Sequence, residues 1–481
     1  MPDRQPSGRR SRLVRPRVEV DHRRTCGRRI GTAFMLITDV SEAANRRAQR
    51  VMPMGNTRSS AFATPYPIYL ASGDGAYVTD VDGNRFLDFQ NNFTALIHGY
   101  GHADVTSALL AQLMKGLSFA KPTFPEIELA ELLCDRVAHF EQVRFTNTGS
   151  EAVMMAIKAA RALTGRTLVA KCDGAYHGNY DSIEINVSAP PIRWTDGCGG
   201  CSLEHDGLTA SVAQQTVVIP FNDIENSDRI LSAVGCDLAA VLIDPLPSRA
   251  GLVQITPEYL DYLRRWTSAR SALLISDEVL SFRLGYTGAF GESSTKPDIT
   301  AFGKIIGGGL PIGAVAGGSD VMKVFAPLGK RPHVAHSGTF TANPMTMVAG
   351  LAAMGAMTED EFLRINQLGD DARRVLADAF RSAGVTGAVT GAGSLFRIFI
   401  GAGKISSYAD AHLASQDSAT LGDIIRHMRD RGVLISQVGL GAISTPMTPM
   451  DVGMLAAIFE DALRAVVGKA HARKEVAADE P

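Results

Sequence analysis

Asp298-Ile299-Thr300-Ala301-Phe302-Gly303-Lys304-Ile305-Ile306-Gly307-Gly308-Gly309 sets a lysine at the end of a strand-like run, followed by three glycines that let something approach the backbone closely. A buried amine in such a place is the usual means of holding an aldehyde cofactor as a Schiff base. Taken alone the pattern is weak, because a surface lysine beside a turn has the same spelling. Its neighbours along the chain decide the reading.

Outward from this run, apolar strands alternate with helices from about residue 105. Candidate strands are Val143 to Phe145, Thr167 to Ala170, Thr216 to Ile219, Ala239 to Ile243, Ala272 to Ile275 and Ile312 to Ala316. Helical stretches such as Glu151 to Leu163 and Pro257 to Ala269 separate many of them, which predicts an α/β fold with a largely parallel sheet covered on both faces. Residues 65 to 90 read as a small β-rich flap, with Asp82-Gly83 turning between Ala76 to Val78 and Phe86 to Phe89. After about residue 345 the pattern becomes α+β. Helices are expected from Met345 to Thr358, Glu359 to Ala383, near Leu421 to Arg431 and from Met450 to Val467, with a strand at Ser394 to Ile400.

The 481 residues allow a large core and about two domains. No segment approaches the roughly 18 uninterrupted apolar residues of a membrane span, and none has the apolar core of a secretion signal, so a cytoplasmic location is expected. Residues 1–34 hold ten arginines against three acidic residues; of the chain's 48 basic and 50 acidic residues, 38 and 47 remain for the body, a charge of -9. Such a body predicts no general affinity for nucleic acid. The segment 1–34 reads as a disordered leader upstream of a start at Met35, with a transit segment or a binder of anionic polymers as alternatives. Six cysteines in so long a chain do not make a disulfide framework. Cys198-Gly199-Gly200-Cys201 has metal-ligand spacing, with His205 nearby, but no local residues complete a set of four; no metal is expected.

Three further motifs stand at candidate strand ends, where an open α/β sheet places its ligand. Asp277, in Ile275-Ser276-Asp277-Glu278-Val279, either caps a loop or pairs with a pyridine nitrogen and keeps it protonated. Thr146-Asn147-Thr148-Gly149-Ser150-Glu151 lies between a strand and a helix, so Gly149 and Ser150 either cradle a phosphate or belong to an ordinary cap made by Ser150. Tyr176-His177-Gly178 offers an aromatic to stack on a heterocycle, or a Tyr-His pair packed under a loop.

With Gly149-Ser150-Glu151-Ala152, Tyr176-His177-Gly178, Asp277-Glu278-Val279, Gly303 to Gly309 and His336-Ser337-Gly338-Thr339-Phe340-Thr341-Ala342-Asn343-Pro344 in this order, the chain resembles the class III pyridoxal-phosphate aminotransferases from about residue 50 to 465. The resemblance implies a fold type I transferase with a mostly parallel seven-stranded sheet. Its division would be a leader at 1–34, the first part of a small domain at 35–104, a large cofactor-binding domain at 105–345, the rest of the small domain at 346–470 and a tail at 471–481. It implies pyridoxal 5'-phosphate as cofactor. Lys304 would form the Schiff base and shuttle the substrate proton, Asp277 would pair with the pyridinium, Val279 would back the ring, and Tyr176 or His177 would cover its other face. Gly149 and Ser150 would hold the phosphate, with Gly338 and Thr339 contributed by a neighbouring subunit, hence a homodimer with shared sites. Asn222, in Pro220-Phe221-Asn222-Asp223, stands where the family often has a polar residue near the ring.

Leu280 follows Asp277-Glu278-Val279 where many ω-aminotransferases carry glutamine. The chain is more similar to glutamate-1-semialdehyde 2,1-aminomutases and β-amino-acid aminotransferases, which share an arginine after an Asn-containing loop. Gly55-Asn56-Thr57-Arg58-Ser59 matches that loop, so Arg58 is the candidate grip on a substrate carboxylate, against the alternative of a surface arginine. Aminomutases usually place a glutamate where alignment puts Gly439, and Asp244-Pro245 stands where Glu-Pro is common. Both suggest a less charged outer pocket and a monocarboxylate donor. The leading expectation is a transaminase moving an amino group between an amino acid, β-amino acids included, and a keto acid. An aminomutase transferring the group within one molecule is the alternative, racemisation or decarboxylation share the same carbanion, and a non-catalytic regulator using the Arg-rich segment is a remote fourth.

Overall fold

The computed structural model describes residues 36–192, 194, 201–327, 329 and 331–478. The Arg-rich segment 1–34, Met35 and Cys198 lie outside the described residues. Near the front, β1 (Leu70–Asp74), β2 (Tyr77–Asp80) and β3 (Arg85–Asp88) form an antiparallel meander. Asp80 shapes the turn at Asp82-Gly83, its Oδ1 accepting from the N–H of Asp82 (3.0 Å) and Asn84 (2.8 Å). Asp82 in turn accepts from Val40 N–H (2.7 Å) and from the Ser41 hydroxyl (2.6 Å) at the start of the helix Asp39–Ala48, where a carboxylate satisfies free N–H groups.

The expected strand runs become β4 (Gln142–Thr146), β5 (Leu168–Cys172), β6 (Thr216–Ile219), β7 (Leu238–Ile243), β8 (Leu273–Asp277) and β10 (Gly313–Gly317). The Lys304 run supplies β9 (Ile299–Gly303). They form one sheet in the order β4-β10-β9-β8-β7-β5-β6. It is parallel except for β10, which runs against both β4 and β9. Every residue of β7, β9 and β10 is buried, as a sheet covered on both faces requires. The helix Gly149–Thr164 supplies Ala152, Val153, Ala156 and Ala160 to the core on one face, and the helix Pro257–Ala269 supplies Tyr259, Leu260, Leu263 and Trp266 on the other. Thr256 caps the latter, its Oγ1 accepting from Tyr259 N–H (3.3 Å), with Pro257 at the first helical position.

Beyond these come the helices Pro344–Ala356 and Glu359–Ala383, then β11 (Gly387–Thr390), β12 (Leu395–Ile400), β13 (Val433–Leu434) and β14 (Leu440–Ala442). β11, β12 and β14 form an antiparallel sheet. β13 crosses to the front of the chain and pairs in parallel with β3, Val433 opposite Leu87. The smaller α+β unit is thus built from both chain ends. The last helix, Pro449–Ala478, runs past the expected end at Val467 and into the segment read as a tail. Among the described residues no helix is long and apolar enough to cross a membrane.

Candidate active site

β7, β8 and β9 are adjacent and parallel, so the residues that end them leave the sheet on the same side. They are Asp244, Asp277 and Lys304. Lys304 turns off β9 with φ +51°, and its Nζ lies 3.5 Å from Thr94 Oγ1, the far limit of a hydrogen bond. Burial draws the amine down from 10.5 to about 8; the carboxylates of Asp277 and Asp244 oppose that shift and the Arg283 guanidinium reinforces it. The three glycines that follow are crowded by the chain itself. A Cβ on Gly308 would sit 2.4 Å from the Ala349 carbonyl oxygen in the helix Pro344–Ala356, one on Gly307 2.6 Å from Ile312 and one on Gly309 2.8 Å from Leu96.

Asp277 is buried, with Oδ2 2.8 Å from His177 Nδ1 and Oδ1 accepting from Val279 N–H at 3.0 Å. The His177 side chain is wholly enclosed. Burial lowers its pKa against the pull of Asp277, so a neutral ring donates from Nδ1, and Nε2 is a buried nitrogen with no partner among the described residues. The pair resolves the ambiguity at Tyr176-His177. His177 supports the carboxylate, whereas Tyr176 is 40% exposed, its hydroxyl donating to Asn179 (2.6 Å) and its ring lying 4.8 Å from the Arg249 guanidinium.

Thr148, not Ser150, caps the helix Gly149–Thr164, its Oγ1 accepting from Glu151 N–H at 3.1 Å. The N–H groups of Gly149 and Ser150 are left without intrahelical partners, pointing out of a helix N-terminus. Ser150 Oγ accepts from Asn179 N–H (3.2 Å), tying the loop of Tyr176 and His177 to this end. Gly149 packs flat on Val279: a Cβ there would lie 2.7 Å from Val279 Cγ1. Free amides at a helix N-terminus, a buried carboxylate with its histidine, an apolar valine face, an exposed aromatic and an amine of lowered pKa therefore share one region, a donor set that fits a phosphorylated pyridine aldehyde.

Other expected residues fall differently. Arg58 is exposed and its Nη1 donates to Asn92 Oδ1 at 3.1 Å. Gly338 lies beside Asn147 of its own chain, and Thr339 is exposed. Asn222 makes its hydrogen bonds with backbone groups before the helix Pro257–Ala269. Its Nδ2 donates to Gln254 O and its Oδ1 accepts from Thr256 N–H, both at 3.0 Å, so the amide staples the start of the helix Pro257–Ala269. It follows the edge strand β6, three strands or about 14 Å from β8. Asp244 is no part of an outer pocket: it is buried beside Asp277 and Lys304, and its pKa is raised by burial first and by Asp277 second. Cys201 Sγ lies 3.3 Å from the Thr216 carbonyl oxygen.

Several residues of the site escape sequence reasoning. Thr94 approaches Lys304, and Glu278, fully buried, is pushed up to about 7 by burial while accepting from Ala289 N–H at 2.7 Å. Lys171, also fully buried and drawn down to about 8 by burial, donates to the carbonyls of Ala175 (2.7 Å) and Ile185 (2.6 Å), gathering the loop that carries Tyr176 and His177. A lysine inside the apolar run Leu168-Val169-Ala170-Lys171-Cys172 is the signal that marks it.

Comparison with known proteins agrees with this geometry. The family description "Aminotransferase class-III" matches residues 59–451. Glutamate-1-semialdehyde 2,1-aminomutase 2 of Lysinibacillus sphaericus is 34% identical over 428 residues, covering 87% of this chain and 96% of that protein. An omega-transaminase from Sphaerobacter thermophilus superposes with a TM-score of 0.84 at 46% identity, covering 88% and 97% of the two chains. A beta-phenylalanine aminotransferase from Variovorax paradoxus does so with a TM-score of 0.77 at 31% identity, covering 90% and 96%. The chain belongs to the class III aminotransferases, enzymes that work with pyridoxal 5'-phosphate.

Proposed function

We propose that the protein is a transaminase that takes the amino group of a monocarboxylate amino acid, a β-amino acid in first place, and passes it to a keto acid. The observation that carries this reading is the set of three adjacent strand ends, with the Lys304 amine drawn to about 8 beside Asp277. Bound pyridoxal phosphate supplies an aldehyde to take up amino groups and a ring that withdraws electrons from the neighbouring carbon. Lys304 Nζ would be the attachment point of that group and, when its amine is free, the base that takes the proton from the substrate carbon bearing nitrogen and returns it to a second position. Asp277, steadied by His177, would hold a proton on the ring nitrogen. Val279 and Tyr176 would hold the ring between them, and the amides of Gly149 and Ser150 would bind the phosphate. Arg58 grips the substrate carboxylate.

Gly439 favours the transaminase over the aminomutase. By the resemblance read from the sequence it stands where aminomutases usually carry a glutamate; its φ is +75°, and a Cβ on it would lie 2.7 Å from the Ile398 carbonyl oxygen, so a side chain there would have to displace backbone. The name of the Variovorax enzyme supports β-amino acids as donors, and the Lysinibacillus relative keeps the aminomutase as the second reading. We further read the protein as a homodimer, with Gly338 and Thr339 of each chain completing the phosphate cradle of the other. Exposed Leu110, Leu113, Met114, Phe119 and Phe124, on or beside two helices that both pack on Pro344–Ala356, support this. The test is a donor screen with β-phenylalanine and glutamate 1-semialdehyde, with and without pyruvate or 2-oxoglutarate. Turnover that requires the keto acid supports the transaminase, and product from glutamate 1-semialdehyde without any acceptor overturns it.

A further inference from the structure

The turn Asn91–Thr94 touches both ends of the proposed reaction. Asn91, Asn92, Phe93 and Thr94 have φ of 47°, 46°, 55° and 72°, four successive residues in a left-handed conformation that L-residues ordinarily adopt singly. The surroundings hold them there. Asn91 Nδ2 donates to the Ala442 carbonyl oxygen at 2.8 Å, and the buried Arg283 donates from Nη1 to the Thr94 carbonyl oxygen at 3.0 Å and from Nε to Ser394 Oγ at 2.9 Å. The turn is therefore clamped between the C-terminal strands and the segment after β8. From it Asn92 Oδ1 accepts from Arg58 Nη1 at 3.1 Å, while Thr94 Oγ1, two residues on, lies 3.5 Å from Lys304 Nζ.

Resting on the transaminase reading, we propose that Asn92 and Thr94 are positioning residues: Asn92 aims Arg58 at the substrate carboxylate, Thr94 orients the Lys304 amine, and the turn between them fixes how far the carboxylate grip stands from the proton carrier. Arg58 is a long, exposed side chain that loses several rotamers when it binds. A bond from one nitrogen to Asn92 removes part of that freedom in advance and leaves the rest of its fork for a bidentate carboxylate. Thr94 offers the amine a hydroxyl that accepts from its N–H, which favours the protonated form. A strained turn anchored on both sides has one shape, where a relaxed loop of four residues has many. The separation it fixes is what distinguishes a carboxylate one carbon from the amino group from one two carbons away.

The test has three readouts, with benzoate binding and kinetics taken on the cofactor-loaded protein and the capture of cofactor on Lys304 taken on its apo form. Asn92→Gly removes the acceptor and relieves the backbone; it is expected to weaken benzoate binding by calorimetry about fivefold, the worth of one such hydrogen bond, and to raise KM for the donor at unchanged kcat. Thr94→Val is expected to leave benzoate affinity alone and to move the pH midpoint for borohydride trapping of cofactor on Lys304 to lower pH, with Thr94→Ser retaining the parent midpoint. Unchanged benzoate affinity in Asn92→Gly, alongside weak binding in Arg58→Ala, overturns the role of Asn92. An unmoved midpoint in Thr94→Val overturns that of Thr94. If Arg58→Ala binds benzoate like the parent, or trapping labels another lysine, the site assignment beneath the inference has failed instead.

Discussion

Lys304 is the residue on which the proposed chemistry turns, and its setting makes a titration visible. Its amine ionises near 8 rather than 10.5 because burial costs the charged form more than Asp277 and Asp244 return. The neutral amine is the form that attacks an aldehyde. Capture of pyridoxal phosphate by the apo-protein, followed as borohydride-fixed label on Lys304, is therefore expected to rise with pH through a midpoint near 8; a midpoint near 10.5 would show an ordinary, solvated lysine. Lys304 and Asp277 are visible in the sequence because each closes an apolar run, where a charge is out of place unless a ligand uses it. Thr94 is not visible, because only a left-handed turn brings it to the amine, and Asp244, although it too closes an apolar run, reads as a sign of the outer pocket until β7 is seen beside β8. Asn222 shows the same limit from the other side: the sequence marks a polar residue after a strand, but not that its amide bonds Gln254 O and Thr256 N–H at the start of the helix Pro257–Ala269.

At the level of elements, the helix Gly149–Thr164 and the segment after β8 meet through a side chain that is missing. Because a Cβ at 149 would stand 2.7 Å from Val279 Cγ1 and 2.8 Å from Cγ2, Gly149→Ala is expected to destabilise the apo-protein by about 1–3 kcal/mol, the usual range for overpacking. Pulling the helix N-terminus off the valine face should also weaken cofactor binding. Adding Val279→Ala removes both methyl groups and is expected to recover most of the loss; denaturant unfolding of the single and double variants measures it, and additive losses would refute the contact. The strands of the large sheet are easy to read because β-branched and leucine runs bounded by turns have few other uses. The direction of β10 is hidden, since Gly313 to Gly317 has the same apolar spelling whether it runs with its neighbours or against them. β13, with only two residues, carries no pattern at all.

For the molecule as a whole, the exposed apolar side chains are concentrated enough to predict an assembly. Met114 and Phe124 are 87% and 78% exposed, large apolar groups of a kind that partners commonly cover. The double variant Met114→Lys, Phe124→Glu is expected to run at half the parent mass in light scattering at micromolar concentration and to lose cofactor on gel filtration. A parent protein that is itself monomeric with full activity would remove the dimer from the account. The division of the chain is less legible than the sheet, because the smaller unit is discontinuous and its two halves share no sequence signal until β3 and β13 are seen side by side. That pairing has a consequence for synthesis. Leu87 leaves the ribosome 346 residues before Val433, its partner in the register, so throughout most of translation β3 presents an open edge that only the end of the message can close. The nascent protein is thus exposed to wrong edge partners for as long as elongation lasts, and a slowed ribosome late in the message lengthens that hazard.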